Sequence, residues 1–472
     1  VRRLHWCALA LVMGCSQAGP PPSGPALPVG PITHQGRWLT DAEGRVVLMH
    51  GVNMVNKNPP YYPSAEGFSD ADATWLAANG FLVVRVGILA TGLMPTPGVV
   101  DMGYLQNIAT TVQDLASHGV YSLIDLHQDG WGPVTGSDGF PAWMTLTGDA
   151  SNEIDAGFPF YYEASPALQQ AFQSFWDNAP GPGDAGLEDD YAAMFTAVAT
   201  TFANQPFVLG YDLFNEPWPG TTWSSCLDSG GCPMLDQSEL GQAYARATTA
   251  IRAAGDEHLV FGEPFSPFNF GSLTAIPVPG ADPNAGMAFH VYPLAPNEAS
   301  EVVGNAVAWS MGSGGALLNT EWGASVAPAV LQPAETALDT AFVSWIFWSF
   351  CCELVSSLSQ APGGSNLVAS TASLLIEPYP LAVAGTPQML TIDPTMETLS
   401  FTWSTARVGG GSFATGAVTT FEVPASIYPM GYTATATGGW VTSAACAPLL
   451  TVAAMPDATT VSVNVVAGGN CP

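Results

Sequence analysis

Phe207-Val208-Leu209-Gly210-Tyr211-Asp212-Leu213-Phe214-Asn215-Glu216-Pro217 is a mostly apolar run that stops on an amide, a carboxylate and a proline. Its length and its aromatic and aliphatic content predict a buried strand over Phe207–Asn215, closed by the chain-breaking Pro217. A second run, starting at Ala316, stops in the same manner on Thr320-Glu321-Trp322-Gly323. Working outward from these two, the other runs of this kind are Val46–Asn53, Phe81–Gly87, Tyr121–His127, His258–Gly262, Met287–Tyr292 and Val343–Phe350, which makes eight. Stretches with helical periodicity lie between them: Asp70–Asn79, Leu105–Ser117, Tyr191–Ala203 and Leu240–Ala253. Strands alternating with helices predict a parallel sheet, and eight of them predict a closed (β/α)8 barrel. A doubly wound sheet is the alternative, but no Gly-rich phosphate turn follows the first run.

The polar residues gather where such a barrel does its chemistry. Asn53, Arg85, His127, Asn215, Glu216, His290, Tyr292, Glu321 and Trp348 all fall at or just past the C-terminal ends of the runs, where the loops converge. A single polar residue at a strand end is ordinarily structural; this many on one face point to a site. From about Leu375 the pattern changes to alternating Thr- and Val-rich runs, Thr398–Ser404, Thr419–Val423 and Thr460–Val466, with Gly-rich turns. These predict a β-sandwich packed on the barrel. The predicted division is a leader and linker over 1–31, the barrel over 32–374 and the sandwich over 375–472.

Composition narrows the partners. Of 472 residues, 39 are Asp or Glu and 9 are Lys or Arg, a formal charge of −30. Such a surface repels polyphosphates, which argues against nucleic acid and for a neutral or zwitterionic substrate. Abundant Ala, Gly and Pro with a single Lys suggest a bacterial source rich in G and C. Arg2 and Arg3 precede the apolar Cys7–Met13, and Val12-Met13-Gly14-Cys15 resembles a lipobox. The expectation is an exported protein, either anchored to the outer membrane by a lipid on Cys15 or released by an ordinary secretory cut near Ala18. Gly19–Pro31 reads as a Pro-rich tether. Export permits disulfides. Cys226 with Cys232 and Cys446 with Cys471 are the candidate pairs, while the adjacent Cys351 and Cys352 stay unassigned. No His stands at ligand spacing to these cysteines, so no metal or cofactor is expected. A monomer is the expected state.

Glu216 and Glu321 are the candidate catalytic pair. Retaining glycoside cleavage uses one protonated carboxylic acid and one ionised carboxylate, about 5–5.5 Å apart. The ends of the fourth and seventh strands can face each other across a barrel mouth. Arg85, ending an apolar strand, needs a carboxylate partner; paired with Glu321 it would keep that group ionised as nucleophile. Tyr292 could donate to the same carboxylate. Glu216 as acid must instead hold its proton, which apolar and aromatic neighbours such as Trp218 favour. Asn215 can bond a sugar 2-hydroxyl, and Trp348 offers a face for stacking on a pyranose. Two decoys stand nearby. Glu263-Pro264 ends the fifth run without an Asn, and Asp125 reads as structural, facing away from His127's neighbours. Asp129, just beyond the strand, could grip hydroxyls.

These residues resemble family 5 glycoside hydrolases of clan A. Gly51-Val52-Asn53-Met54-Val55-Asn56-Lys57-Asn58-Pro59-Pro60-Tyr61-Tyr62-Pro63, Asp125-Leu126-His127-Gln128-Asp129 and Asn215-Glu216-Pro217-Trp218-Pro219-Gly220 are more narrowly similar to endoglycoceramidases. So is Glu377-Pro378-Tyr379-Pro380, followed by Ala384-Gly385-Thr386-Pro387, where their C-terminal β-domain begins. The resemblance spans residues 32–472. It implies cofactor-free, retaining cleavage between oligosaccharide and ceramide, with Glu216 as acid/base and Glu321 as nucleophile. Lys57, Asp129, Asn215, Tyr292 and Trp348 would then hold the sugars, and Trp176 would be a substrate-side Trp. Glu321-Trp322-Gly323 where the family often has Glu-Phe-Gly, Glu377 where it often has Arg, and no Gln in Pro293–Asn297 leave the preferred glycan and aglycone open. Barrel-top apolar residues, Phe140, Trp143, Phe158, Phe160, Phe265 and Phe268, are the candidate lipid groove. The rival readings are a β-1,4-glucanase or mannanase, another glycolipid β-glucosidase, and a glycan- or lipid-binding lipoprotein without catalysis.

Overall fold

The computed structural model describes residues 26–152, 156–295, 297–393, 396–469 and 471. The predicted leader with its lipobox at Cys15 lies outside them. Three short strands come first: β1 (Thr33–Gln35), β2 (Trp38–Thr40) and β3 (Val46–Val47). Eight strands then close a parallel barrel in chain order: β4 (His50–Met54), β5 (Phe81–Ile88), β6 (Tyr121–Leu126), β7 (Val208–Asp212), β8 (Leu259–Gly262), β9 (Ala285–Val291), β10 (Ala316–Trp322) and β11 (Trp345–Phe347), the last pairing with the first. Every predicted run contributes one barrel strand.

Alternation along these strands divides their residues between two cores. Val84, Val86 and Ile88 on β5 face the helices, as do Met287, Phe289 and Val291 on β9. Val83, Leu123, Leu209, Phe261, Ala288, Leu318 and Ile346 fill the barrel interior, which Ile32 and Leu39 join from its lower end. The interior becomes polar two residues further along several strands, at Arg85, Asp125, Glu263, His290 and Trp348. A period-2 strand therefore carries an apolar plug below and a polar floor above.

Eight further strands form the C-terminal sandwich: β12 (Tyr379–Val383), β13 (Thr386–Asp393), β14 (Thr398–Ser404), β15 (Val418–Glu422), β16 (Tyr432–Thr437), β17 (Gly439–Val441), β18 (Leu449–Ala454) and β19 (Thr460–Ala467). One sheet runs β13-β14-β19-β16 and the other β1-β2-β3-β12-β15-β18-β17. Inward residues such as Leu399, Phe401 and Trp403 meet Val461, Val463 and Val465 in a separate core. Val46 and Val47 leave the predicted first barrel strand and pair antiparallel with Val383 and Ala382, so the N-terminal strands belong to the sandwich sheet. Nothing in local sequence separates Val46-Val47 from His50–Met54, because both are apolar β-formers; the partner decides.

Cys226–Cys232 and Cys446–Cys471 are disulfides as paired from the sequence, and Cys351–Cys352 is a third. Among the described residues no helix is long and apolar enough to cross a membrane.

Candidate active site

Arg85 is the hub of the barrel's upper mouth. It is fully buried on β5 and spends its whole guanidinium on side chains from neighbouring strands. Nε donates to Asp212 at 2.9 Å, Nη1 to Glu321 at 2.6 Å and Asn53 at 3.2 Å, and Nη2 to Asp125 and Asn215 at 2.9 Å and Glu263 at 3.0 Å. The predicted Arg85–Glu321 pair exists, but it is one of four carboxylate contacts. A buried cation needs such compensation. Its carboxylates do not share it equally. Burial lifts Asp212 well above the usual carboxylate range, with Arg85 opposing and Glu263 and Asp125 adding to the lift. Glu263 is lowered, with His290 and Arg85 overcoming the cost of burial.

A register shift in β10 aims Glu321. Ala316 and Leu318 point into the barrel, and strict alternation would turn Glu321 outward. The pairing with β9 slips between Asn319 and Glu321, which brings the carboxylate to the inside. There Oε1 accepts from Arg85, and Oε2 accepts from the Tyr292 hydroxyl at 2.8 Å. Gly323 completes the turn at φ 111°, where a Cβ would sit 2.3 Å from the Phe347 ring. Burial raises the Glu321 carboxyl above its ordinary pKa, with His290 and Arg85 pulling it back. The sequence reading, which gave Glu321 Arg85 and Tyr292 as partners, omitted the burial and His290.

Glu216 stands at φ 44°, a left-handed conformation costing about 1–3 kcal/mol for a residue with a side chain. Its neighbours fix it there. Its N–H donates to Glu263 Oε2 at 2.9 Å, and Gln128 Nε2 donates to the carbonyls of Asn215 (2.8 Å) and Glu216 (3.1 Å). The carboxylate Oε1 accepts from Asn269 Nδ2 and meets His290 Nδ1, each at 2.8 Å. Glu216, His290 and Glu321 bring one donor atom apiece within 4.8 Å of one another, so the two glutamates face each other closely. His290 also lies 3.1 Å from Glu263, and Glu263 and Glu321 raise its pKa well above normal in spite of burial.

A third group sits beside this pair. Lys57 bonds Asp129, and its ammonium lies 4.6 Å above the centre of the Trp348 ring. His127 stacks on the Trp348 ring, 5.3 Å between centroids at 9°, with Nδ1 2.8 Å from Asp125 and Nε2 3.3 Å from Asp129. Burial would lower His127, but Asp125 chiefly carries it up to about 9. Asp125 therefore shares the inward face with His127, two residues on, and holds both Arg85 and His127. Asp138, not singled out in the sequence, is lifted by burial and by Asp129 to about 6.

These groups line a cavity of about 920 Å3. Lys57, His127, Asp129, Glu216, Tyr292, Glu321 and Trp348 border it, while Arg85, Asn215 and His290 lie beneath and support it. Asn215 gives its oxygen to Arg85 and its Nδ2 to the Gln128 carbonyl at 3.0 Å. Trp176 is elsewhere: it is buried among Phe172, Phe175, Phe214 and Phe265 and donates to the Trp218 carbonyl at 2.9 Å. The apolar wall also differs from expectation. Phe158 and Phe160 form it, 60% and 68% exposed, with Phe270 and Leu294. Phe140, Phe265 and Phe268 are buried in the core, and Trp143 packs against it. Glu263 and Asn269 were missed as site residues. Glu263 had a signal, a strand-end carboxylate before proline, set aside as a decoy; Asn269, in a short 3-10 turn, had none.

The description "Cellulase (glycosyl hydrolase family 5)" matches residues 40–353, and that of the glycoside hydrolase family 5 C-terminal domain matches residues 378–465. The chain belongs to glycosyl hydrolase family 5. As a glycoside hydrolase it is 31% identical over 453 residues to endoglycoceramidase I of Rhodococcus hoagii, covering 91% of this chain and 87% of that protein. The lactosyl-enzyme intermediate of endo-glycoceramidase II from Rhodococcus sp. has the same fold at TM-score 0.75 and 25% identity, over 92% of this chain and 100% of that one. The crystal structure of endogalactoceramidase gives TM-score 0.70 at 25% identity, over 93% and 100% of the two chains. The fold of the whole described chain is thus common to the hydrolase and these solved structures.

Proposed function

We propose that the enzyme is a retaining endo-β-glycosidase that cleaves the bond between glycan and ceramide in glycosphingolipids. The observation that carries this is the juxtaposition, in one cavity, of two carboxylates within 4.8 Å and an exposed apolar wall at Phe158, Phe160, Phe270 and Leu294. The short separation suits attack by a carboxylate; inverting enzymes need about 6.5–9.5 Å to seat a water. Glu321, held by Arg85 and Tyr292, attacks the anomeric carbon while Glu216 protonates the departing ceramide oxygen. Glu216 then takes a proton from water, which releases the glycan from Glu321. Lys57, His127, Asp129 and Trp348 hold the sugar at the polar end. The relative captured with lactose on the enzyme supports the covalent step.

We also infer a monomer outside the cytoplasm, tethered through Cys15 or secreted; the three disulfides support the oxidising compartment. Incubation with a ganglioside, a glucosylceramide and cellooligosaccharides, with Glu321→Ala alongside, tests the function. Intact oligosaccharide and ceramide released by the wild type alone is the expected result. Cleavage of cellooligosaccharides only would move the assignment to a glucanase, and activity surviving in Glu321→Ala would overturn the mechanism.

A further inference from the structure

The lower end of the barrel, opposite the hydrolytic site, holds a second cluster that the reaction does not use. His50 opens β4 with its ring between those of Trp345 and Tyr379, at 4.0 and 3.8 Å between centroids. Asp339 comes from the helix Pro328–Thr340, and Glu377 from the segment entering β12. His50 Nε2 is 3.8 Å from Asp339 Oδ1, and His50 Nδ1 is 3.7 Å from Glu377 Oε1. One donor atom from each of the three lies within 4.8 Å of the others. Glu335, one turn before Asp339, borders the same hollow of about 460 Å3 between helix and sandwich, which gives a way in from solvent.

Two features make this more than a collection of acids. The side chains of His50 and Glu377 are only 7% and 10% exposed, yet His50 Nδ1 and Glu377 Oε1 have no hydrogen-bond partner. They face each other at a distance too long for a hydrogen bond. Two ligands each about 2.0–2.2 Å from a shared zinc lie roughly 3.3–3.7 Å apart, which matches the gap between His50 Nδ1 and Glu377; an Asp339 oxygen completes the set within 4.8 Å. In addition, no Lys or Arg among the described residues pairs with Asp339, Glu377 or Glu335. Three carboxylates crowded in a buried place need a cation or protons between them.

We propose that His50, Asp339 and Glu377 bind one divalent cation of the zinc class, with Glu335 beside it, and that the ion fastens the barrel base to the sandwich. A nitrogen ligand with carboxylates suits zinc or manganese, whereas calcium takes six or more oxygens. Residues 50, 339 and 377 are brought together only by the fold, so no motif spacing announces them.

The test is metal content of the purified enzyme, then calorimetric titration and melting of the EDTA-stripped protein with ZnCl2, MnCl2 or CaCl2. Glu377→Gln and Asp339→Asn remove ligands, and Glu321→Gln controls for the Glu216/His290/Glu321 group. One zinc or manganese per chain, raising Tm in wild type and Glu321→Gln, is expected. Affinity should weaken at least about tenfold in Glu377→Gln and Asp339→Asn while hydrolytic activity persists. Substoichiometric metal with no Tm shift in the wild type would overturn the proposal and leave the carboxyls sharing protons. So would tighter binding of calcium, or binding unchanged in both ligand variants. Should one variant not fold, the other and the wild-type stoichiometry still decide.

Discussion

Replacing Phe158 and Phe160 by Ser separates the lipid part of the function from the chemistry. Both rings stand 60% and 68% exposed at the cavity edge. At about 200 Å2 for a whole phenylalanine, that leaves roughly 250 Å2 of ring surface in water. If an alkyl chain covers half of it, about 125 Å2 is buried, worth about 3 kcal/mol at ~25 cal/mol/Å2. Ordering the chain takes back part of this, so the expected loss in kcat/KM on a long-chain glycosylceramide is about 10–100-fold. The rings lie apart from the hydrogen bonds on Glu216 and Glu321, so hydrolysis of a soluble aryl lactoside should be unchanged. The assay is steady-state kinetics on both substrates, in detergent below and above its critical micelle concentration. An equal loss on both substrates would show that the loop shapes the catalytic pair instead. No loss on the lipid would refute the apolar wall as its binding surface.

Tyr292→Phe removes the 2.8 Å hydrogen bond on Glu321 Oε2 while keeping the ring; kcat should fall about 10–100-fold with far-UV dichroism unchanged, and an unaltered kcat would deny Tyr292 its role. Lys57→Met breaks the contacts with Asp129 and with the Trp348 face, so KM for the glycan should rise about tenfold with a smaller change in kcat. Stability should fall as the solution is made alkaline. Burial raises Glu422 to about 8 and Glu188 and Glu239 to about 7, so the folded state holds protons that the unfolded chain gives up near 4.5. That stability is complete below 4.5 and is lost as pH rises through 7–8. His127, raised to about 9, acts in the same direction above 6.5. Tm at pH 5.5 should therefore exceed Tm at pH 8.5, and the reverse order would contradict the assignment.

Strand count and barrel closure were legible because each strand is a self-contained apolar run with a polar stop. The facing carboxylates were legible for the same reason: Glu216 and Glu321 both terminate such runs. Legibility ended where three-dimensional partners decide. Asp125 and Glu263 looked expendable because nothing in sequence shows that Arg85 alone must satisfy contacts from β4, β6, β7, β8 and β10. Asn269 is an ordinary turn residue until the fold carries it to 2.8 Å from Glu216. Phe140 and Phe160 are alike in type and both on upper loops, yet one is core and the other exposed. Trp176 failed similarly, since an amphipathic helix hides whether its Trp faces the cavity or the interior.

The site's electrostatics also run against the chain's composition. The protein is formally −30, and a nucleophile placed in that surplus would be driven to protonate. Around the cavity cations gather: Arg85, Lys57, His127 and His290 face Asp125, Asp129, Glu263 and Glu321. Two of the cations exist only because the fold makes them. His127 and His290 would be largely neutral at pH 7 in the unfolded chain, and each is charged here by carboxylates from its own and adjoining strands. The acids that seemed redundant beside Arg85 thus have a second consequence. Glu263 keeps His290 protonated, and His290, with Arg85, opposes the burial that would otherwise neutralise Glu321. The charge on Glu321 is therefore a property of the whole polar floor and not of Arg85 by itself.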